Sequence, residues 1–332
     1  MTYDLHELVR ENKVDDIQEA IEKGADINVQ DERGNTPLLL AFLEWAWSFI
    51  SMNNEVVVTD ELIECLLNYN PDVTIANEDG TTPLHAAVLG DNIKFIKALI
   101  ERGAKVNARD KILRTPLLKV LEKNNGYALE VIKCLLERGA DINARDNYGK
   151  TVLHQAVECC FREEYKEYNM FTLIKYLLQS GADINAQYED GFTPFMIAVY
   201  NSVHNETHIA LLLRYNPDVT IKDKEGRTAI SYMSSRIDLS DSIKGMILLR
   251  SVPGLRRWRL ESFINAFRMQ SPFPGELYNA ITPEFIALVH PEIPLDKKLR
   301  WLEAYDEEVL GIGKEQASEE EQALPYGTGC RP

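Results

Sequence analysis

The sequence predicts an all-α protein built from a repeated pair of helices, on three observations. A short turn followed by Thr-Pro-Leu or a variant recurs at Thr36, Thr82, Thr115, Thr151, Thr193 and Thr228, at spacings of 46, 33, 36, 42 and 35 residues. Apolar residues then fall at helical spacing, as in Phe95, Ile96, Leu99 and Ile100, or Val131, Ile132, Leu135 and Leu136. Each second helix runs into a closing turn, Gly-Ala-Asp or a variant, beginning at Gly24, Asn70, Gly103, Gly139, Gly181 and Asn216. A period of this length sustained over most of a chain marks a stacked-repeat architecture.

The elements follow in order. Thr2 to Gln30 forms an N-terminal capping unit, and six further units bring the count to seven. In each, Thr caps free N–H groups and Pro suits the first helical position. Gly34, Gly80, Gly149, Gly191 and Gly226 stand two residues before the threonines, where a tight turn requires positive φ. Gly103, Gly139 and Gly181 end second helices in a left-handed cap. Departures from the pattern mark individual units. Leu113 replaces the turn glycine, and Val152 and Ala229 replace proline. Extra residues follow the first helix near LEWAWSFISMNNEVVVTD and ECCFREEYKEYNM. Lys224 to Leu249 reads as a degenerate closing unit.

This pattern resembles the ankyrin-repeat family, most closely in DGTTPLHAAVLGDNIKFIKALIERGAKVNA, from Asp79 to Ala108. The resemblance spans about Leu5 to Leu249. It implies a solenoid of helix pairs, β-hairpin tips projecting to one side, and a concave surface that binds proteins. The expected organisation is a repeat domain over 1–250, a small C-terminal helical capping segment over 251–310, and a disordered acidic tail over 311–332.

Composition narrows the function classes. The 332 residues carry a formal charge of −16, which repels phosphate backbones and excludes general nucleic-acid binding. No apolar run of about 18 residues is free of charge, and the N-terminal MTYDLHELVRENK is too acidic for a signal peptide. Five cysteines without metal-ligand spacing fit a reducing, cytoplasmic setting. Phosphate-binding glycine loops and GxSxG elbows are absent, so a non-enzymatic protein without cofactor or metal is expected.

Candidate chemical residues read first as structural. His85 and His154 follow the Thr-Pro/Val-Leu segment, where the resemblance implies hydrogen bonds between repeats. Cys65 and Cys134 sit at matching core positions, and Glu163 and Glu164 oppose thiolate formation at Cys159 and Cys160. His204 and His208 stand at i and i+4 about Glu206, without a third metal ligand, and read as a solvated insertion.

The better candidates are contact surfaces. The tips carry Glu32, Arg33, Glu78, Asp79, Lys111, Asn147, Tyr148, Glu189 and Asp190, positions that the resemblance assigns to partner contact. Trp45, Trp47 and Phe49 extend one helix past its expected end, and tryptophan is enriched at interface hot spots. The expected function is a monomeric protein-interaction scaffold with acidic residues steering basic partners.

Beyond residue 250, Trp258, Phe263, Ile264 and Phe267 form an amphipathic pattern suited to covering the end of the stack. Phe273, Pro274, Glu276, Leu277 and Ile281 resemble the start of an F-box, implying a ubiquitin-ligase substrate adaptor as an alternative function. Glu315, Glu319, Glu320 and Glu321 resemble the glutamate-rich translocation signal of bacterial type IV effectors of the Legionella and Coxiella kind. That resemblance implies secretion into a host cytosol and a host protein as partner. A second alternative is an enzyme whose divergent catalytic unit follows Arg250, where His290 is the one histidine.

Overall fold

In the computed structural model, the described residues are 4–48, 58–90, 92–122, 128–162, 169–201 and 206–234, with the isolated positions 239 and 247. They are helices joined by turns. The helices are α1 (Leu5–Arg10), α2 (Val14–Glu22), α3 (Pro37–Ser48), α4 (Asp60–Asn68), α5 (Pro83–Ala87), α6 (Ile93–Glu101), α7 (Pro116–Lys119), α8 (Ala128–Glu137), α9 (Val152–Cys159), α10 (Met170–Gln179), α11 (Pro194–Tyr200), α12 (Glu206–Arg214) and α13 (Ala229–Ser234). A 3-10 turn, Val120–Glu122, continues α7. The chain divides into two compact bodies, Met1–Pro194 and Phe195–Pro332.

The first body stacks five helix pairs. Helix α3 packs on α1 and α5, and α5 on α7, so the first helices of successive repeats form an inner layer. Helices α2 and α4 pack together, as do α6 and α8, which makes an outer layer. The core lies between the layers. Phe42, Phe95, Leu62, Ile63, Leu84 and Ile96 are all below 2% exposed.

The threonine at each helix start caps as its sequence position predicts. The hydroxyl oxygens of Thr36, Thr82 and Thr115 accept from the backbone N–H three residues on. At the other end, Ala25, Ala104, Ala140 and Ala182 donate N–H to the carbonyls of Ala20, Leu99, Leu135 and Leu177, each at 3.0 Å. The residue before each alanine is a glycine at φ between 84° and 96°. Asn70 (φ 56°) and Asn216 (φ 54°) adopt the same left-handed conformation at their closing turns.

The second body contains α11 from Phe195 onward, α12 and α13. Its core includes Phe195, Ile209, Leu212, Val219 and Met233, all 3% exposed or less. Tyr200 and Tyr232 meet edge to face at 5.4 Å between centroids. Everything expected beyond residue 250, including the amphipathic stretch, the F-box-like Pro274, Glu276, Leu277 and Ile281, and the acidic tail, lies outside the described residues.

Candidate interaction surface

Five of the six described tips are each built by one Asp or Asn side chain. Asp31 Oδ1 accepts the N–H groups of Arg33 (2.9 Å) and Asn35 (2.8 Å). Asn77 does the same for Asp79 and Thr81, Asp110 for Ile112 and Arg114, and Asp146 for Tyr148 and Lys150. Asp223 repeats the arrangement in the second body. Burial pushes the Asp31 carboxyl up, but hydrogen bonds from Asn35 and Arg33 outweigh it and hold the group below the ordinary carboxylate range.

Within the first body each tip is then tied to the next by a backbone hydrogen bond. Glu78 N–H donates to Arg33 O, Lys111 N–H to Asp79 O, and Asn147 N–H to Ile112 O, each at 2.9 Å. Glu189 N–H donates to Tyr148 O at 2.6 Å. The expected β-hairpins are therefore corrected to turns, and no strand occurs among the described residues. One bond per junction is too short a ladder for one. The glycines fit this close approach as well as the positive φ. A Cβ on Gly34 or Gly80 would lie 3.0 Å from backbone atoms of the following tip.

The nine expected tip residues, Glu32, Arg33, Glu78, Asp79, Lys111, Asn147, Tyr148, Glu189 and Asp190, are all exposed. Their backbone groups build the ladder and their side chains project from it. The aromatic group fares differently. Trp45 is 5% exposed, meets Phe95 edge to face at 5.9 Å, and donates its indole N–H to Asp60 at 3.1 Å. A Cβ on Gly90 would fall 1.6 Å from its ring. Trp45 is thus corrected from a contact residue to a packing residue, because the glycine leaves a slot that the indole fills. Trp47 lies in α3, and Phe49 is outside the described residues.

Histidines wire alternate repeats together. His85 Nδ1 accepts from Thr82 N–H at 3.2 Å, leaving Nε2–H to donate to Arg114 O at 3.0 Å. His154 repeats this with Thr151 and Phe192. Burial pushes both imidazoles down to about 4, so they stay neutral. His6 makes the equivalent bond to Asn35 O at 2.8 Å, a bridge that sequence reasoning missed although Leu5-His6 repeats the Leu84-His85 dipeptide.

Asparagines brace the opposite edge. Asn28, Asn107 and Asn143 accept the N–H groups of Asp72, Asp141 and Asp183, each at 2.8 Å across a junction. With the tips numbered by their repeat, Asp31 opening the second, the sixth tip departs, with Tyr188 where the others have Asp or Asn. Its ring stacks on Phe192 at 5.9 Å and lies under Lys150 Nζ at 5.1 Å.

Little here suits catalysis. Cys65, Cys134 and Cys159 are buried, and burial pushes the Cys160 thiol up to about 12, which keeps it protonated. His208 is 9% exposed within α12, which corrects its reading as part of a solvated insertion, while His204 lies outside the described residues. Among the described residues no three His, Cys, Asp or Glu side chains are grouped to hold a metal ion, and no helix is long and apolar enough to cross a membrane.

Stacked helix pairs, threonine caps and bridging histidines define a helical repeat protein. Family models described as ankyrin repeats match residues 5–110 and 165–244, and a single-repeat model matches 113–147. The chain belongs to the ankyrin-repeat family, and such repeats imply a protein–protein interaction scaffold. It is 34% identical over 116 residues to alpha-latrocrustotoxin-Lt1a of Latrodectus tredecimguttatus, covering 35% of this chain and 7% of the relative. It is 35% identical over 97 residues to ankyrin repeat protein OPG189 of Variola virus, covering 29% and 15%. To the putative ankyrin repeat protein FPV031 of Fowlpox virus it is 32% identical over 125 residues, covering 30% and 37%. The matched stretches thus span well under half the length of these relatives.

Proposed function

We propose that the chain is a non-enzymatic scaffold that binds a host or cellular protein along its ladder of tips. The observation that supports this reading is a division of labour within each tip. The turn-forming Asp or Asn and the inter-tip amides are consumed in structure, while both central side chains of every tip face solvent on a fixed frame. A rigid frame carrying exposed variable side chains lowers the ordering cost of binding. The charge of −16 favours basic partners by long-range steering. Buried cysteines at Cys65 and Cys134 that form no disulfide suit a reducing compartment.

The test is affinity capture from a eukaryotic lysate with the full chain. It is compared with a variant whose tips carry Glu78→Ser, Asp79→Ser, Tyr148→Ser, Glu189→Ser and Asp190→Ser. Loss of the captured proteins with an unchanged melting temperature supports the tips. Capture identical in both forms removes them. The type IV effector reading rests on the acidic residues from Glu315 to Glu321 and stands or falls with a translocation reporter fused to the full chain.

A further inference from the structure

We propose that the fourth and fifth tips hold an extended segment of a partner protein, apolar at its centre and basic on both flanks. This rests on the scaffold reading above and assigns the chemistry of its partner.

The centre of the ladder is apolar and exposed. Ile112 is 37% exposed, Leu113 42% and Tyr148 54%. The bond from Asn147 N–H to Ile112 O joins their two tips, so the three side chains stand on adjoining tips. Contiguous exposed apolar side chains on a structured frame mark contact sites more often than isolated ones do.

Leu113 is also costly where it stands. It holds φ 62°, while the turn positions at Gly34, Gly80, Gly149, Gly191 and Gly226 hold φ between 74° and 84°. A left-handed backbone costs a residue with a Cβ, and the following tip crowds the equivalent Gly34, Gly80 and Gly149. Folding repays the exchange only in part, because 42% of the leucine remains in solvent. A strained residue with an exposed apolar side chain is what a binding hot spot looks like before its partner arrives.

The flanks supply the complementary half of the argument. The third tip presents Glu78 and Asp79, and the sixth presents Glu189 and Asp190, all exposed. None of the four has an ion-pair partner among the described residues. Lys111 lies between the acidic third tip and the apolar strip, and its methylene stem extends that strip. Acidic tips on both sides of an apolar centre fit a ligand of the opposite pattern. Neighbouring repeats stand about 8–10 Å apart. The third and sixth tips are then about 25–30 Å apart, which about eight or nine extended residues cover. The recognised segment therefore has a short apolar core, with Lys or Arg about four positions to either side.

The experiment uses the full chain and three fluorescent peptides of about 14 residues: basic–apolar–basic, acidic–apolar–acidic, and basic–serine–basic. Binding is read by anisotropy. The first peptide is expected to bind on the order of tenfold tighter than either other. Ile112→Ser with Leu113→Gly should abolish that preference. Glu189→Gln with Asp190→Asn should weaken the first peptide severalfold and flatten its salt dependence. Equal binding of all three peptides, no binding of any, or a preference untouched by the Ile112 and Leu113 changes overturns the proposal. Lysate capture on the same variants separates the two readings. Proteins still captured by the Ile112→Ser, Leu113→Gly form leave the scaffold standing and remove this site.

Discussion

The third and fourth repeats share one pattern and solve the same problem with different chemistry. Repeat three has Asn77 at the start of its tip, Gly80 in the turn, and His85 and Ala86 in its inner helix. Repeat four has Asp110, Leu113, Leu118 and Lys119 at those places. Repeat three is wired by neutral groups: an amide, a threonine cap and an uncharged imidazole. Repeat four is wired by charge. Asp110 accepts from Arg114 Nε at 2.9 Å and pairs with Lys119 at 3.7 Å, and Arg114 also pairs with Glu122. Burial pushes Lys119 down and Glu122 up, against the pull of their partners. One backbone turn thus tolerates two wirings, and they differ in what happens when a single partner is removed.

The largest expected effect tests that difference. Asp110 is 5% exposed and Lys119 7%, so removing the carboxylate leaves a buried ammonium with Glu122 as its remaining opposite charge and the turn without its acceptor. Asp110→Ala is expected to cost about 3–5 kcal/mol. Asn77→Ala, at the same place in repeat three, loses only neutral hydrogen bonds, two in the turn and one to the Asn35 side chain, and should cost about 1–2 kcal/mol. Denaturant midpoints of the two variants decide it. Equal losses would mean that repeat four draws nothing special from its charges.

Acid separates the repeats next. His85 and His154 ionise near 6.5 when unfolded and near about 4 when folded. Their neutral burial therefore stabilises the fold fully above pH 6.5. That contribution shrinks as pH falls and is gone below about 4. Each histidine accounts for about 3 kcal/mol across this window. His85→Leu, which gives repeat three the residue of repeat four, should remove about half of what these two histidines contribute to the slope between pH 6.5 and 4, His208 adding its own share. Chemical denaturation across that range checks it, and an unchanged slope would mean that the imidazole does not protonate on unfolding.

A smaller effect, opposite in direction to the first, is expected at Lys119. Lys119→Met keeps the buried stem and removes the charge whose desolvation opposes folding. Asp110 retains Arg114, so the variant should be neutral or more stable by about 1–2 kcal/mol. A loss above that would show the lysine to be integral to the cluster.

How far these two wirings were legible in the sequence depends on the range of the interaction. Thr82, Pro83 and the turn glycines announce themselves because capping and positive φ are local properties of a few residues. The inter-repeat role of His85 was readable only through family resemblance, and the same role at His6 went unnoticed in a unit without the Thr-Pro signal. The tip residues were placed on the surface correctly because two-residue turn centres have nowhere else to go. Trp45 was misjudged because its slot is made by Gly90, 45 residues away, and no periodicity links the two. The Asp110 cluster was invisible for a like reason. Asp110, Arg114, Lys119 and Glu122 look like ordinary surface charges until the turn folds Asp110 back under the helix.

The finest test of the comparison is the turn position itself. Leu113→Gly removes a left-handed conformation that costs a residue with a Cβ about 1–2 kcal/mol. It returns part of that gain as the greater unfolded-state entropy of glycine, about 0.5–1 kcal/mol. The lost side chain offsets about 1 kcal/mol more, since at 42% exposure the leucine is more than half buried. The net expectation is a change within about 1 kcal/mol of zero in denaturant unfolding, a gain only where the backbone strain outweighs both losses. The reciprocal change, Gly80→Leu, imposes the same conformation on repeat three. There a Cβ meets the backbone of Asp110 and Lys111 at 3.0 Å, so it should cost more than Leu113→Gly returns. A stabilised Leu113→Gly beside a destabilised Gly80→Leu would show that repeat four carries its leucine against the interest of its own fold. If Leu113→Gly gains nothing, the fourth tip has relaxed around its leucine, and the two repeats differ only in how they are wired.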